Sequence, residues 1–264
     1  MKSKTIECAE CADSIGRFLL AYSSWLLGCG ATCIRLEKNV QRIARRFGMT
    51  AETIITPRHI QLSISCQNNR DVFSHVVAVH PSPINFTLNT MLSRLSWEIA
   101  DSELTLDEAK RKFDEIVVAP AGNSDFLPFV VAFANASFCR IFGGDWVAAA
   151  IVAAATFAGF CLKQILAARH IDARAIFFIC AFVSAVLASA ASLFALGTTP
   201  ALAVGTSVLY LVPGIPFLNS FSDMVYRHYI CAFSRLVDAV VLTCCLSAGL
   251  GLALMLMNNG GWIC

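Results

Sequence analysis

The sequence predicts an α-helical membrane protein: five transmembrane helices, the fourth of them broken, preceded by a cytoplasmic α+β domain. Three observations predict it. Charge is segregated, with ten charged residues in Phe126–Met257 against twenty-eight in Met1–Asp125. The carboxyl-terminal half repeats apolar stretches near the roughly 20 residues a helix needs to cross a bilayer core. One of those stretches, Tyr210–Asp223, carries Pro213, Gly214 and Pro216 in its middle.

Residues 1–120 read as the soluble-type domain. Their part of the chain is balanced in charge, and the whole chain carries only +2, so nucleic acid is not expected as a partner. Phe18–Ile34 is uncharged but interrupted by Ser23, Ser24, Gly28 and Gly30. It reads as a buried amphipathic helix stopped by the two glycines rather than as a sixth span. Thr32–Phe47 reads as a helix with a basic face of Arg35, Lys38, Arg42, Arg45 and Arg46, stopped by Gly48. Thr53–Thr56, Ile60–Cys66 and Val72–Val79 read as strands, the last two joined by a turn at Asn68-Asn69. Asn85–Ala100 and Thr105–Val117 read as helices, the second opened by a Thr105/Glu108 capping box. Pro120–Ser124 reads as a linker.

Residues 126–257 read as the five-helix membrane domain and 258–264 as a short external tail. The spans are Phe126–Phe142, Trp146–Leu166, Ala175–Leu196, Ala201–Tyr226 and Leu236–Met257. Two of the connections carry basic residues, Lys163, Arg169 and Arg174 at one and Arg227 and Arg235 at the other. By the positive-inside rule that side, and the amino-terminal domain with it, is cytoplasmic.

Candidate site residues follow from the broken span. Pro213 lacks a backbone donor and clashes with the preceding turn, so the helix must break near the bilayer midplane. Such breaks persist only where they face protein or a watery cavity. Asn219 and Asp223 follow, four residues apart and so on one helix face. Pro213, Gly214, Pro216, Asn219 and Asp223 are therefore the candidate substrate and proton-coupling residues, with Arg140 near the outer end of the first span as a candidate carboxylate ligand. Plainer readings stand beside these. Asp223 can pair with Arg227, Asp238 with Arg235, and Arg140 with Asp145 or with the interface. A membrane-anchored regulatory or hydrolytic domain is the alternative function class.

Other chemistry is weakly represented. The twelve cysteines include Cys8-x2-Cys11 and Cys29-x3-Cys33, but both pairs sit on or beside apolar helices, which favours packing over zinc. Gly28-x-Gly30 lacks a third glycine and follows no strand, and no Gly-x4-Gly-Lys-Ser/Thr loop occurs. No catalytic residue, metal or cofactor is expected.

Three stretches carry a family resemblance: Phe138-Cys-Arg-Ile-Phe-Gly-Gly-Asp-Trp146, Leu162–His170, and Leu211-Val-Pro-Gly-Ile-Pro-Phe-Leu-Asn-Ser-Phe-Ser-Asp-Met224. Together with Gly30-Ala-Thr before the basic helix, they resemble the threonine/serine exporter family, in its short, two-component type. The chain departs at Thr32, where many relatives carry an acid. The resemblance implies a bacterial inner-membrane exporter of small polar carboxylates, either threonine and serine or dicarboxylates such as succinate. It also implies a second, smaller membrane subunit. Five spans are odd in number, and an inverted second copy would complete a common transporter plan; a homo-oligomer is the other way to enclose a path.

Overall fold

The computed structural model describes residues 2–66, 70–80, 82–102, 104–119, 126–193 and 197–259. The Asn68-Asn69 turn, the Pro120–Ser124 linker and the end of the tail from residue 260 lie outside them, as do the side chains of Cys8 and Cys11. The chain forms two compact units, Met1–Ala121 with Ile215–Leu236, and Gly122–Gly214 with Val237–Cys264.

The first unit is built on helices α1 (Lys2–Gly28), α2 (Cys33–Arg46), α3 (Phe86–Asp101) and α4 (Leu106–Val118), and strands β1 (Thr50–Ile55), β2 (His59–Cys66) and β3 (Arg70–Ala78). The strands form an antiparallel meander in the order β1-β2-β3. Alternation along β2 sends Ile60, Leu62 and Ile64 into the core. There they join Ile15, Leu19, Tyr22 and Leu26 of α1 and Leu36 and Ile43 of α2. The Phe18–Ile34 stretch is thus a core element here, with α1 ending at Gly28 and Gly30 taking φ +94° in the turn that follows. A methyl at Gly16 would lie 2.5 Å from the Phe73 ring, so glycine sets how closely α1 lies on β3. Asn85 caps α3 through Leu88 N–H (3.0 Å), and the expected Thr105/Glu108 capping box opens α4.

Helix α9 (Gly214–Val225) and the first turns of α10 (Tyr229–Asn259) complete this unit. Sequence reading places α9 within the fourth span, Ala201–Tyr226, and Arg227–Arg235 in the connection before the fifth. Their polar side chains instead find partners around the α1–α2 turn, as described below.

The second unit contains α5 (Leu127–Ile141), α6 (Trp146–Ala168), α7 (Ala173–Leu193), α8 (Pro200–Ser207), a 3₁₀ turn (Leu209–Leu211) and the rest of α10. Asp145 caps α6 through Ala148 N–H (2.6 Å) and also accepts from the Thr198 hydroxyl (3.1 Å), tying that end to the α7–α8 connection. Small residues let the helices approach. A methyl at Gly249 of α10 would lie 2.3 Å from the Phe178 carbonyl of α7. Large apolar side chains point outward, Phe133 and Trp146 each 76 % exposed, as suits an apolar surround.

Among the described residues, Trp146–Ala168 and Tyr229–Met257 are long and apolar enough to cross a membrane. The pair Pro200–Leu211 and Gly214–Val225, interrupted at Val212 and Pro213, makes a third if it counts as one span. Leu127–Ile141 and Ala173–Ser189 are apolar and shorter. The chain is thus a mostly helical protein with a small sheet and, among the described residues, two to three membrane-length helices.

Candidate functional site

The break falls where the prolines predict. Val212, ahead of Pro213, takes φ −56° and ψ 123°, the extended region a following proline imposes. Gly214 N–H turns back to the Val212 carbonyl at 2.8 Å, and α9 begins there. Pro216 is the third residue of α9, among the first four positions whose N–H has no intrahelical partner, so it costs the new helix no bond. A methyl at Gly214 would meet open space, so nothing in this conformation requires glycine there.

Inside the second unit a belt of uncharged polar groups lies around the end of α8. Asn135 of α5 is 3 % exposed. Its Nδ2 donates to Thr156 Oγ1 on α6 (2.6 Å) and to the Thr206 carbonyl (3.0 Å). That carbonyl belongs to the last turn of α8, which has no continuing helix to supply its donor. No described residue donates to Asn135 Oδ1. One turn along α6 from Thr156, Ser184 of α7 and Tyr210 of the 3₁₀ turn share a hydrogen bond of 3.0 Å. Gly159 makes room for them, since a methyl there would lie 2.2 Å from both hydroxyl oxygens. Four residues on, and so on the same helix face, Lys163 Nζ lies 5.8 Å from the Phe160 ring and 5.6 Å from Phe177. No acid among the described residues pairs with it. The neutral belt and the Lys163 ammonium on the same face of α6 therefore together offer hydroxyl donors, an open amide acceptor and a cation, the groups a small polar carboxylate needs.

Sequence reasoning missed this belt because it weighed charges and prolines. The available signal was Asn135 in an otherwise apolar span, where an amide is expensive unless it is bonded.

Asp223 and Asn219 come together elsewhere, within the first unit. Asp223 is fully buried. Its Oδ1 accepts the Cys33 N–H (2.8 Å) at the start of α2, where the helix dipole favours an anion. Its Oδ2 lies 2.9 Å from Arg235 Nη1, but neither of those atoms is placed to form a hydrogen bond, so their attraction is purely coulombic. Arg235 Nη2 donates to the Ala31 carbonyl (2.8 Å), and Asn219 Nδ2 to the Gly30 carbonyl (2.9 Å). Two expected pairings are corrected. Arg227 is exposed, with φ 66°, and does not pair with Asp223; Arg235 reaches Asp223 and leaves Asp238 exposed. The reason is that the turn at Arg227–His228 folds α10 back along α9, bringing Ser220 Oγ to the Ala232 carbonyl at 2.7 Å. Arg140 stands apart. Its guanidinium donates to the Gly144 carbonyl and lies 4.3 Å from the Trp146 ring. No cluster of three or more His, Cys, Asp or Glu side chains that could hold a metal occurs among the described residues.

Residues 17–257 match the family model described as "Putative threonine/serine exporter". The "Probable succinate transporter subunit YjjP" of Escherichia coli (strain K12) is 25 % identical over 253 residues, 95 % of this chain and 97 % of that protein. Its namesake from Klebsiella aerogenes is 25 % identical over 252 residues, 94 % and 96 % of the two chains. The "Probable threonine/serine exporter" of Mycobacterium tuberculosis is 23 % identical over 241 residues, 89 % of this chain but 45 % of that protein. No solved structure matches the chain.

Proposed function

Because the chain belongs to the threonine/serine exporter family, we propose that it is the larger, inner-membrane subunit of a secondary transporter exporting small polar carboxylates, either threonine and serine or a dicarboxylate such as succinate. The observation that carries this reading is the polar belt at the unwound end of α8. A helix that stops inside an apolar bundle leaves carbonyls that must be satisfied, and transporters bind substrate at such interruptions. A membrane-anchored enzyme or regulator has no need of one.

In this reading Lys163 receives the substrate carboxylate, the Ser184 and Tyr210 hydroxyls of the neutral belt donate to it, and Asn135 Oδ1 accepts from the far end of the molecule. An amino acid offers an ammonium or hydroxyl there, and a dicarboxylate its second, protonated acid group. On the same reading the chain crosses the membrane five times with its amino-terminal part in the cytoplasm; the two to three membrane-length helices and two shorter apolar ones among the described residues are compatible with it. A second, smaller subunit fits the word "subunit" in two relatives' names and the Mycobacterium protein, of which this chain matches less than half.

Proton coupling falls to Asp223. Protonating it removes the attraction that holds Arg235 and weakens the bond from Cys33 N–H, freeing α9 next to the break. Pro213, Gly214 and Pro216 form the joint, Asn219 steadies α9 through the Gly30 carbonyl, and Arg140 acts at the far end of α5.

The test is uptake of labelled succinate and threonine into inverted vesicles carrying the chain with and without the second subunit. Uptake is expected to need both subunits and a proton gradient. Lys163→Gln should raise KM about tenfold or more, the scale of one charge-assisted contact. Asp223→Asn together with Arg235→Gln keeps the site neutral while removing the acid, and should abolish gradient-driven export. Wild-type KM in the first variant, or wild-type rate and pH dependence in the second, refutes the corresponding role.

A further inference from the structure

The first unit carries a second concentration of charge that transport does not use. Helix α2 presents Lys38, Arg42, Arg45 and Arg46 to one groove of about 450 Å³, whose remaining lining is Gln41 and Ala100. The spacing explains the clustering, because residues four, seven and eight apart share a helix face. No carboxylate lines the groove, and none of the four cations has an ion-pair partner among the described residues. Three neighbouring acids are engaged otherwise: Asp101 acts on Arg42 only through its field, Glu98 is paired with Lys112, and Glu37 of α2 faces His228 at 3.6 Å.

Two further observations separate this groove from an ordinary solvated face. Arg42 is fixed in place. Its Nη1 donates to Asn39 Oδ1 (2.8 Å) and Ser96 Oγ (2.6 Å), and the guanidinium lies 3.6 Å from the centre of the Trp97 ring. The fork is thus held before any ligand arrives, which reduces the entropy lost on binding. In addition, Arg46 Nε is buried and has no hydrogen-bond partner. No described residue accepts a side-chain hydrogen bond from Arg46, so the outer nitrogens of its guanidinium remain available to a ligand in the groove they line.

We infer that this groove is a binding site for a small molecule carrying two or more phosphate groups. The charge count decides between anion classes. A dicarboxylate of charge −2 leaves half of the four cations uncompensated, whereas two phosphate groups at about −1.5 to −2 each match them. Arginine forks fit phosphate oxygens two at a time. The groove lies toward the carboxyl end of α2, where the helix dipole opposes an anion, but that effect is about 0.3–1 kcal/mol, and the basic residues of the last turn already face it. A concave site walled by α3 also favours a discrete anion over a flat anionic leaflet.

The test uses the full-length chain in nanodiscs of zwitterionic lipid, titrated calorimetrically with inorganic pyrophosphate. Saturable binding is expected, weakening as salt rises. In Arg45→Gln/Arg46→Gln the Kd should rise about tenfold or more for the loss of two charge-assisted contacts, while the thermal midpoint holds. Arg94→Gln, on the exposed side of α3, should leave Kd unchanged. If the double variant does not fold, Arg45→Gln alone, at an exposed position, serves the same purpose with a smaller rise. No saturable heat, an unchanged Kd in the variants, or affinity only for phosphatidylglycerol vesicles and not for pyrophosphate overturns the inference. Because binding is read without any flux, its failure is distinct from failure of the transport proposal.

Discussion

The Asp223–Arg235 contact and the Asn135–Tyr210 belt both bury polar chemistry, and they do so in opposite ways. The first concentrates full charges in one place. A carboxylate with no exposure faces a guanidinium, and backbone groups of the α1–α2 turn take up part of what remains. The second uses hydroxyls, an amide and the carbonyls of a terminated helix, each contact worth little alone. A charged pair in low dielectric has one favoured arrangement and a large penalty for others. A neutral belt can exchange partners at modest cost. The first is suited to holding or releasing an element as a whole, the second to meeting a passing ligand.

That contrast breaks most readily at Arg235. Arg235→Leu leaves the Asp223 carboxylate buried and unpaired, and should destabilise the protein by about 3–5 kcal/mol. Loss of monodisperse protein in detergent would report it. Asp223→Leu/Arg235→Leu should recover much of the loss, since a matched apolar pair replaces a matched charged one. If the double variant is as unstable as the single, the pair is not the element that holds α9.

Asn135→Leu tests the belt. It leaves the Thr206 carbonyl without its side-chain donor, at about 1–3 kcal/mol. Thermal unfolding should show this moderate drop alongside a large loss of export, whereas a drop as large as that of Arg235→Leu would mean that the two sites bear stability alike. Tyr210→Phe should sharpen it. Only the bond to Ser184 is lost, about 0.5–1.5 kcal/mol, so folding should barely change while KM for the exported carboxylate rises.

The smallest expected effect lies at the surface, where charge is cheap. The Thr105 backbone N–H, then its hydroxyl, hold the Glu108 carboxyl below its ordinary value of 4.5. A depressed value means that the capping contribution is present above the unfolded-state value and is lost as pH falls through the lower folded one. Protection factors in the first turn of α4, taken against the intrinsic exchange rate at each pH, should therefore fall only below about pH 4.5 and stay flat above it.

How much of this was legible beforehand depended on the range of the interaction. Local chemistry was readable: the Gly28–Gly30 stop, the Asn85 and Thr105 caps, the break after Val212 and the apolar helices were all in the residues themselves. The strands were found but β1 was begun three residues late, because Thr50-Ala-Glu52 alternates too weakly to announce itself. Partners distant in sequence were not readable. Cys33 N–H and Asp223 are 190 residues apart, and nothing in either neighbourhood names the other. Arg227, four residues from Asp223, was the natural local choice; the fold preferred Arg235 because the turn at His228 reverses the chain. The belt was hidden for another reason. Asn135, Thr156, Ser184 and Tyr210 are single polar residues on four elements, and only packing makes them neighbours.

The membership of Ile215–Leu236 in the first unit also bears on how the protein is made. Residues 1–121 leave a ribosome first, yet the Cys33 N–H and the carbonyls of Gly30 and Ala31 wait for side chains near the far end of the chain. At roughly 10 residues per second, about ten seconds pass between the two, with the whole Gly122–Gly214 segment emerging in the interval. During that time the first unit has an open flank lined by unsatisfied backbone groups and by Cys33, which is buried in the finished structure. Nascent copies are therefore most vulnerable to misassociation before α9 arrives. A fragment ending at Ala121 should be poorly soluble for the same reason, although its sheet and four helices are intact.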